Sequence, residues 1–371
     1  MKALYIINVM KQIKEGTESN LNILKELGYE VHIAGDFSQY QGDLSEIPAE
    51  VKQIDLDRSP FKIQNIKAFI QMTSLMKKEK YDFIHCNTPV GGVLGRICAY
   101  VSGTKNVLYQ AHGFHFYKGG PKLHNFIYKS IEMFLARFTD NIITINKEDY
   151  EAAQAFKLKN NGKVYYIPGV GVNVDSYRGI MVDREKKRVD INVPRDCKLI
   201  IMIGDLIPRK NYEIAIKAIS KVKDMNIHCI ICGTGIEEKK LKELCKLLNI
   251  EERIHFLGFR KDVIELLQVS DIFLFTTRQE GLPRALMEAM SIGIPCIVSK
   301  IRGNIDLIEH ECGGCLCNID DVECFSNSIF RVLCDSDLCV DMSNINKETI
   351  KQYDINNVSK IMKSIYEELI K

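Results

Sequence analysis

Asp271 to Arg302 reads DIFLFTTRQEGLPRALMEAMSIGIPCIVSKIR, a strand, a polar loop, a helix and a second strand in succession. An apolar strand ends at Thr276. The polar loop Arg278-Gln279-Glu280-Gly281 follows, and Leu282-Pro283 opens a helix whose apolar residues recur at helical spacing. Pro283 suits a first helical turn, where its missing N–H has no partner to lose. Glu280 lies just before that helix, and Glu288 lies inside it, about two turns along. The backbone N–H groups of Gly281, Leu282 and Arg284, around Pro283, have no intrahelical acceptors, so they form a ready site for a phosphate. One carboxylate beside an anion site and a second farther along match the layout of a nucleotide diphosphate joined to a sugar. The same elements occur in many α/β proteins, where such carboxylates are solvated or simply favour the helix N-terminus.

IPCIVS forms the next strand. Before it come a strand at LIIMIGDLI, a helix at Tyr212–Val222, a strand at HCIICG, a helix at Glu237–Leu248 and short elements at IHFLG and Val263–Leu267. The first half repeats the pattern. Strands are expected at Ala3–Val9, Val31–Ala34, Phe83–Cys86, Asn106–Ala111, Asn141–Thr144 and Val164–Pro168. Helices are expected around Glu18–Leu27, Ile63–Lys80, Val90–Val101 and Leu123–Phe138. Regular alternation of this kind predicts an α/β fold of two doubly wound, Rossmann-like domains facing across a cleft, with ligand at the C-terminal strand ends. The expected boundaries are residues 1–175 plus 355–371 for the first domain and 176–354 for the second. Asp337–Asn346 reads as a polar linker, and Asn357–Lys371 as a closing helix.

Size and composition agree with two domains. The chain has 371 residues, 46% of them hydrophobic, and a net charge of +2. That balance excludes a nucleic-acid binder driven by phosphate contacts. No run of about 18 apolar residues is present, and MKALYIINVMK lacks the features of a secretion signal. Thirteen cysteines, mostly at apolar positions, fit reduced thiols and a cytoplasmic protein. Cys312, Cys315 and Cys317 lack the paired spacing of a zinc knuckle and read as a turn with a short buried strand, so no metal is expected.

The E-G-L-P loop combined with Glu280 and Glu288 resembles the donor-site signature of retaining glycosyltransferases of family four, which have the GT-B fold. HGFHFYKG, from His112 to Gly119, is similar to a bacterial subgroup that builds capsular and exopolysaccharide repeat units. So are IHCNTPVGGVLGR (Ile84–Arg96), ITINKEDY (Ile143–Tyr150), YYIPGVGVNVD (Tyr165–Asp175), LPRALMEAM and IRGN. The resemblance spans nearly the whole chain.

It implies a role for each matched position. His112, where a strand runs out before Gly113, would contact the donor sugar, and Glu280 would bind sugar hydroxyls. Glu288 would take the ribose hydroxyls, and Lys210 the diphosphate, joined by the N–H groups of Gly281 and Leu282, with Pro283 lining the same turn. Gly233 would wall the nucleotide site, and the backbone at Phe259 and Arg260 would meet the base. Gly16, in the loop after the first strand, would let that loop approach the donor, although the family's paired glycines are missing. Asp205 stands where many members carry arginine, which removes one phosphate cation. Arg209 is a substitute on charge alone, with a surface role as its other reading.

The enzyme implied is a retaining glycosyltransferase that needs no cofactor. It would use a nucleotide-sugar donor, UDP on the subgroup's pattern, and a lipid-linked saccharide acceptor. Peripheral contact with an anionic membrane is part of this reading. Lys122, Lys129 and Arg137 lie among apolar residues of Pro121–Arg137, which also reads as a helix packed on the sheet. A sugar-nucleotide 2-epimerase of the same fold and a non-catalytic binding subunit remain as alternatives.

Overall fold

The computed structural model describes residues 1–57, 59, 62–223 and 225–370. The chain divides into two compact units, Met1–Gly171 with Ile355–Lys371, and Val172–Asp354. The first boundary thus falls four residues before the expected one. Val172 bridges to Asp354, and Val172 and Val174 are buried in the core of the second unit, which draws this segment there.

In the first unit, β1 (Lys2–Val9) leads to α1 (Glu15–Glu26), β2 (Glu30–Asp36), β3 (Glu50–Gln53) and α2 (Gln64–Glu79). Then come β4 (Phe83–Asn87), α3 (Pro89–Ser102), β5 (Val107–Ala111) and α4 (Lys122–Ala136). β6 (Asn141–Thr144), α5 (Lys147–Ala153) and β7 (Val164–Tyr166) follow. All strands pair in parallel, in the order β3-β2-β1-β4-β5-β6-β7. Strands β4 and β5 are buried at every position, as expected of strands covered on both faces.

The second unit opens with α6 (Val174–Gly179) and α7 (Arg184–Asp190). Its wound part runs β8 (Lys198–Ile203), α8 (Tyr212–Lys221), β9 (Ile227–Cys232), α9 (Glu238–Leu247), β10 (Ile254–Gly258) and α10 (Val263–Gln268). It continues with β11 (Ile272–Phe275), α11 (Arg284–Ile292), β12 (Cys296–Ser299), α12 (Asn304–Leu307), β13 (Gly314–Cys317) and α13 (Val322–Cys334). The order is β10-β9-β8-β11-β12-β13, again all parallel. Each sheet therefore reverses its winding once, at β1/β4 and at β8/β11, and such switch points are where open α/β sheets bind ligands.

Asp337–Asn346 is not a linker. It lies within α14 (Ser336–Thr349), whose first turn is capped by the Asp335 carboxylate accepting from Leu338 N–H at 2.9 Å. Met342 and Asn346 anchor the helix, and Asn346 donates to the Ile294 carbonyl at 3.1 Å. The closing helix α15 (Ile355–Ile370) packs on α1 of the first unit, with Ser19 and Ser359 hydroxyls 2.6 Å apart. Lys371 lies outside the described residues. Among the described residues no helix is long and apolar enough to cross a membrane.

Candidate active site

In the second unit, the loops after β8 and β11 are stitched together at the switch point. Thr276 donates its hydroxyl to the Asn211 carbonyl at 2.9 Å, and Arg278 N–H donates to the Arg209 carbonyl at 2.8 Å. This brings Lys210 and Glu280 together. One oxygen of Glu280, Oε1, accepts from Lys210 Nζ at 2.8 Å, Arg209 Nη1 at 2.8 Å and Thr277 Oγ1 at 2.9 Å. Lys210 also lies 4.7 Å from the centre of the Phe275 ring. The buried Arg302, unmarked by the sequence beyond the IRGN match, donates to the Glu280 carbonyl at 3.1 Å and fixes the loop from below.

Two glycines allow this closeness. A Cβ on Gly233 would stand 1.9 Å from the Gly204 carbonyl oxygen, so the turns after β8 and β9 can touch only with glycine there. Gly303 has φ +81°, and a Cβ would stand 2.4 Å from the Gly281 carbonyl oxygen. Asp205 is exposed at the tip of the β8 loop.

Pro283 caps α11, leaving Arg284 as the first residue in its helical span. Glu288 is half-buried on this helix, and its Oε1 accepts from Arg284 Nε at 2.9 Å. Arg284 reaches on to the Tyr177 hydroxyl at 2.9 Å. The only sign of this partnership in the sequence is the four-residue spacing of Arg and Glu on one helix. Phe259 is exposed after β10. Arg260 turns its side chain onto Asp262 with two hydrogen bonds of 2.7 and 2.8 Å. Asp262, held by Arg260 and by Lys187, is kept far below the usual carboxylate range.

In the first unit, His112 follows the last residue of β5 and is half-buried. Its loop is braced by the buried, stacked rings of Phe114 and Phe116, with centroids 5.0 Å apart, and by Phe114 N–H donating to Asp149 at 2.9 Å. The His112 ring meets the buried Asn87 side chain at the end of β4, and Asn87 meets the Tyr5 hydroxyl on β1. Burial, together with the Lys14 charge, pushes the His112 imidazole down to about 4. Gly16 lies inside the first turn of α1, not in the loop before it. A Cβ there would stand 2.4 Å from the Val170 carbonyl oxygen, so close packing requires glycine at this position.

Cys315 and Cys317 are buried in β13. Among the described residues, one set of three possible metal ligands converges, Glu30, His32 and Glu50, with ligand atoms within 4.8 Å of one another. It lies at the start of β2, away from the strand ends that carry the site. Lys2 and Lys52 approach its two carboxylates at 3.4 and 2.5 Å.

Comparison with known proteins gives this arrangement a class. The profile described as "Glycosyl transferases group 1" matches residues 183–349, and "Glycosyl transferase 4-like" matches residues 9–146. The fold is that of the GT-B glycosyltransferases. Anabaena Alr3699/HepE in complex with UDP and glucose superimposes with a TM-score of 0.81 over 99% of this chain and all of that one, at 20% identity. The lipopolysaccharide glycosyltransferase WaaG does so with a TM-score of 0.76 over 98% and 99%.

Among sequences, Bacillus subtilis EpsD, named as a glycosyltransferase, is 31% identical over 348 residues, 92% of this chain and 90% of its own. An Escherichia coli enzyme named UDP-Gal:alpha-D-GlcNAc-diphosphoundecaprenol alpha-1,3-galactosyltransferase is also 31% identical, over 83% of this chain and 81% of its own. The chain belongs to this family of glycosyltransferases.

Proposed function

We propose that the protein is a retaining glycosyltransferase that moves a sugar from a UDP-sugar to a growing, lipid-linked saccharide in cell-surface polysaccharide synthesis. The observation that carries the reading is the single Glu280 oxygen held by Lys210, Arg209 and Thr277 beside the start of α11. A donor diphosphate is the stronger partner for the two cations. Once it binds, the Glu280 carboxylate is released to the hydroxyls of the sugar. Arg209, already at the site, supplies the second positive charge that Asp205 removes.

In the proposed step the bond from the anomeric carbon to the phosphate oxygen breaks. The acceptor oxygen bonds to the same face of that carbon, and its proton passes to the departing phosphate. Lys210 and the N–H groups at Gly281 and Leu282 stabilise the charge that develops, a contribution that is often the largest in catalysis. Side-chain cations supply this charge, so the reading calls for no metal. Glu288 takes the ribose, the backbone at Phe259 and Arg260 meets the base, and His112 contacts the sugar. The E. coli relative's name specifies a UDP-sugar and an undecaprenol-linked acceptor, and the Anabaena protein holds UDP and glucose, which supports UDP and a lipid-linked acceptor here.

The test is a thermal-shift panel of nucleotides and nucleotide sugars, followed by transfer to a lipid-linked sugar. At a hundredfold excess over Kd, a ligand bound only by the folded state adds about 2.7 kcal/mol. UDP should raise the melting temperature above ADP and GDP, and NMR of the product should show the donor's anomeric configuration. No stabilisation by any nucleotide, or an inverted product, would sink the reading.

A further inference from the structure

We infer that Asn87 is a positioning residue that locks His112 in the Nε2–H tautomer and so leaves Nδ1 as a hydrogen-bond acceptor for substrate. The backbone N–H of Thr88 can only donate, and it donates to Asn87 Oδ1 at 2.9 Å. That sets the orientation of the Asn87 amide. Its other end, Nδ2, donates to the Tyr5 hydroxyl, which also accepts from Asn20 at 3.3 Å.

The His112 ring approaches Asn87 through Nε2, and on the Oδ1 side. An oxygen with no hydrogen can only accept, so Nε2 carries the proton. In a neutral imidazole the other nitrogen is then bare. Among the described residues, no group pairs with His112 Nδ1.

The surroundings keep the ring neutral. Burial and Lys14 both oppose a second proton, and the neighbouring titratable ring, His85 on β4, is itself neutral and bonded to the Tyr366 hydroxyl at 2.6 Å. His112 is therefore unsuited to be a general acid at neutral pH. It can accept a hydrogen bond from a sugar hydroxyl, a role that rests on the glycosyltransferase reading above.

The test reads the ring itself. In the 15N-labelled, ligand-free full chain, long-range 1H–15N correlation at pH 7 should show His112 as the Nε2–H tautomer, assigned by its loss in His112→Gln. Asn87→Leu should release the lock and give a mixture of tautomers. Asn87→Asp keeps the acceptor but adds a negative charge, which should lift the titration midpoint of His112 from about 4 to about 6 or above. An Nδ1–H ring in the wild-type protein, or an unchanged midpoint in Asn87→Asp, would overturn the inference without any variant needing to be active. Absence of sugar transfer would instead overturn the functional reading and leave the tautomer standing.

Discussion

Lys210 Nζ and Glu280 Oε1 lie 2.8 Å apart across two loops that are seventy residues distant in sequence. Both side chains are mostly covered, at 13% and 12% exposure, so neither is an ordinary surface charge. Removing Lys210 deletes a cation from the proposed diphosphate site while Glu280 keeps Arg209 and Thr277. Lys210→Ala should therefore fold, and should lose both nucleotide affinity and turnover by tenfold or more, at about 1.4 kcal/mol per tenfold. Calorimetry showing UDP bound as tightly as by the wild-type protein would remove Lys210 from the diphosphate site.

Glu280 and His112 are assigned to the sugar and not to the nucleotide. His112→Ala and Glu280→Ala should each lower turnover by about a hundredfold or more, which is about 2.7 kcal/mol of transition-state stabilisation. Free UDP should bind both variants nearly as before. Full transfer activity in either variant would end that residue's catalytic assignment.

Glu288 is expected to hold the ribose hydroxyls, and a hydrogen bond to a charged group is worth about 1.5–3 kcal/mol. Glu288→Ala should weaken nucleotide binding about tenfold or more without unfolding the protein. Arg284, deprived of its partner at 2.9 Å, keeps the Tyr177 hydroxyl. Unchanged UDP affinity would place Glu288 outside the site.

His85 predicts a pH dependence of stability. It is fully buried, and burial together with His112 holds it down to about 3, well below its ordinary value. The unfolded chain binds this proton near pH 6.5 and the folded protein only near 3. The unfolded state therefore gains protons first as pH falls, and stability is lost between those values. His112, at about 4, acts in the same direction. Melting temperature should fall steadily from pH 6.5 to pH 4, and His85→Gln should flatten that slope whatever it does to stability at pH 7. An equal slope in wild type and variant would show that other groups carry the effect.

The parallel strands are legible in the sequence because strands buried on both faces are runs of apolar residues, as in Phe83–Cys86 and HCIICG. Strand β3 is not, since Glu50 and Lys52 interrupt any apolar pattern at a sheet edge. Nor is α14, where burial rests on Met342 and Asn346, too few apolar positions to distinguish a helix from a linker. Within the site, Lys210 and Glu280 stand out through loop motifs, but their contact depends on strand order. Tyr5 looks like one more residue of an apolar strand, and its hydroxyl's link to Asn87 appears only when β1 and β4 lie side by side. Gly16 reads as a loop glycine because the packing that demands it comes from Val170, far along the chain.

The last prediction concerns the membrane that a lipid-linked acceptor would require. Helix α4 does not bury its apolar residues as an ordinary sheet-packing helix would: Leu123 is 72% exposed, Phe126 70% and Phe134 56%, with Ile127, Ile131 and Met133 also exposed. Tyr100 of α3 adds to this surface, its ring 4.6 Å from that of Phe138. Charge is concentrated in the same region. Residues 62–138 hold eleven Lys and Arg against three Asp and Glu, in a chain whose net charge is only +2. Of those acids, Glu132 is paired with Arg96 at 2.8 Å and Glu79 with Lys2 at 2.6 Å. An exposed apolar face with a basic surround suits insertion into the headgroup layer of an anionic bilayer. The full chain should co-sediment with phosphatidylglycerol vesicles at low salt, less at high salt, and little with phosphatidylcholine. Lys122→Glu with Lys129→Glu should weaken that binding, and Phe126→Ser should weaken it even at low salt, since the apolar contribution is lost. Absence of vesicle binding at low salt would transfer this surface to a soluble acceptor or to a protein partner.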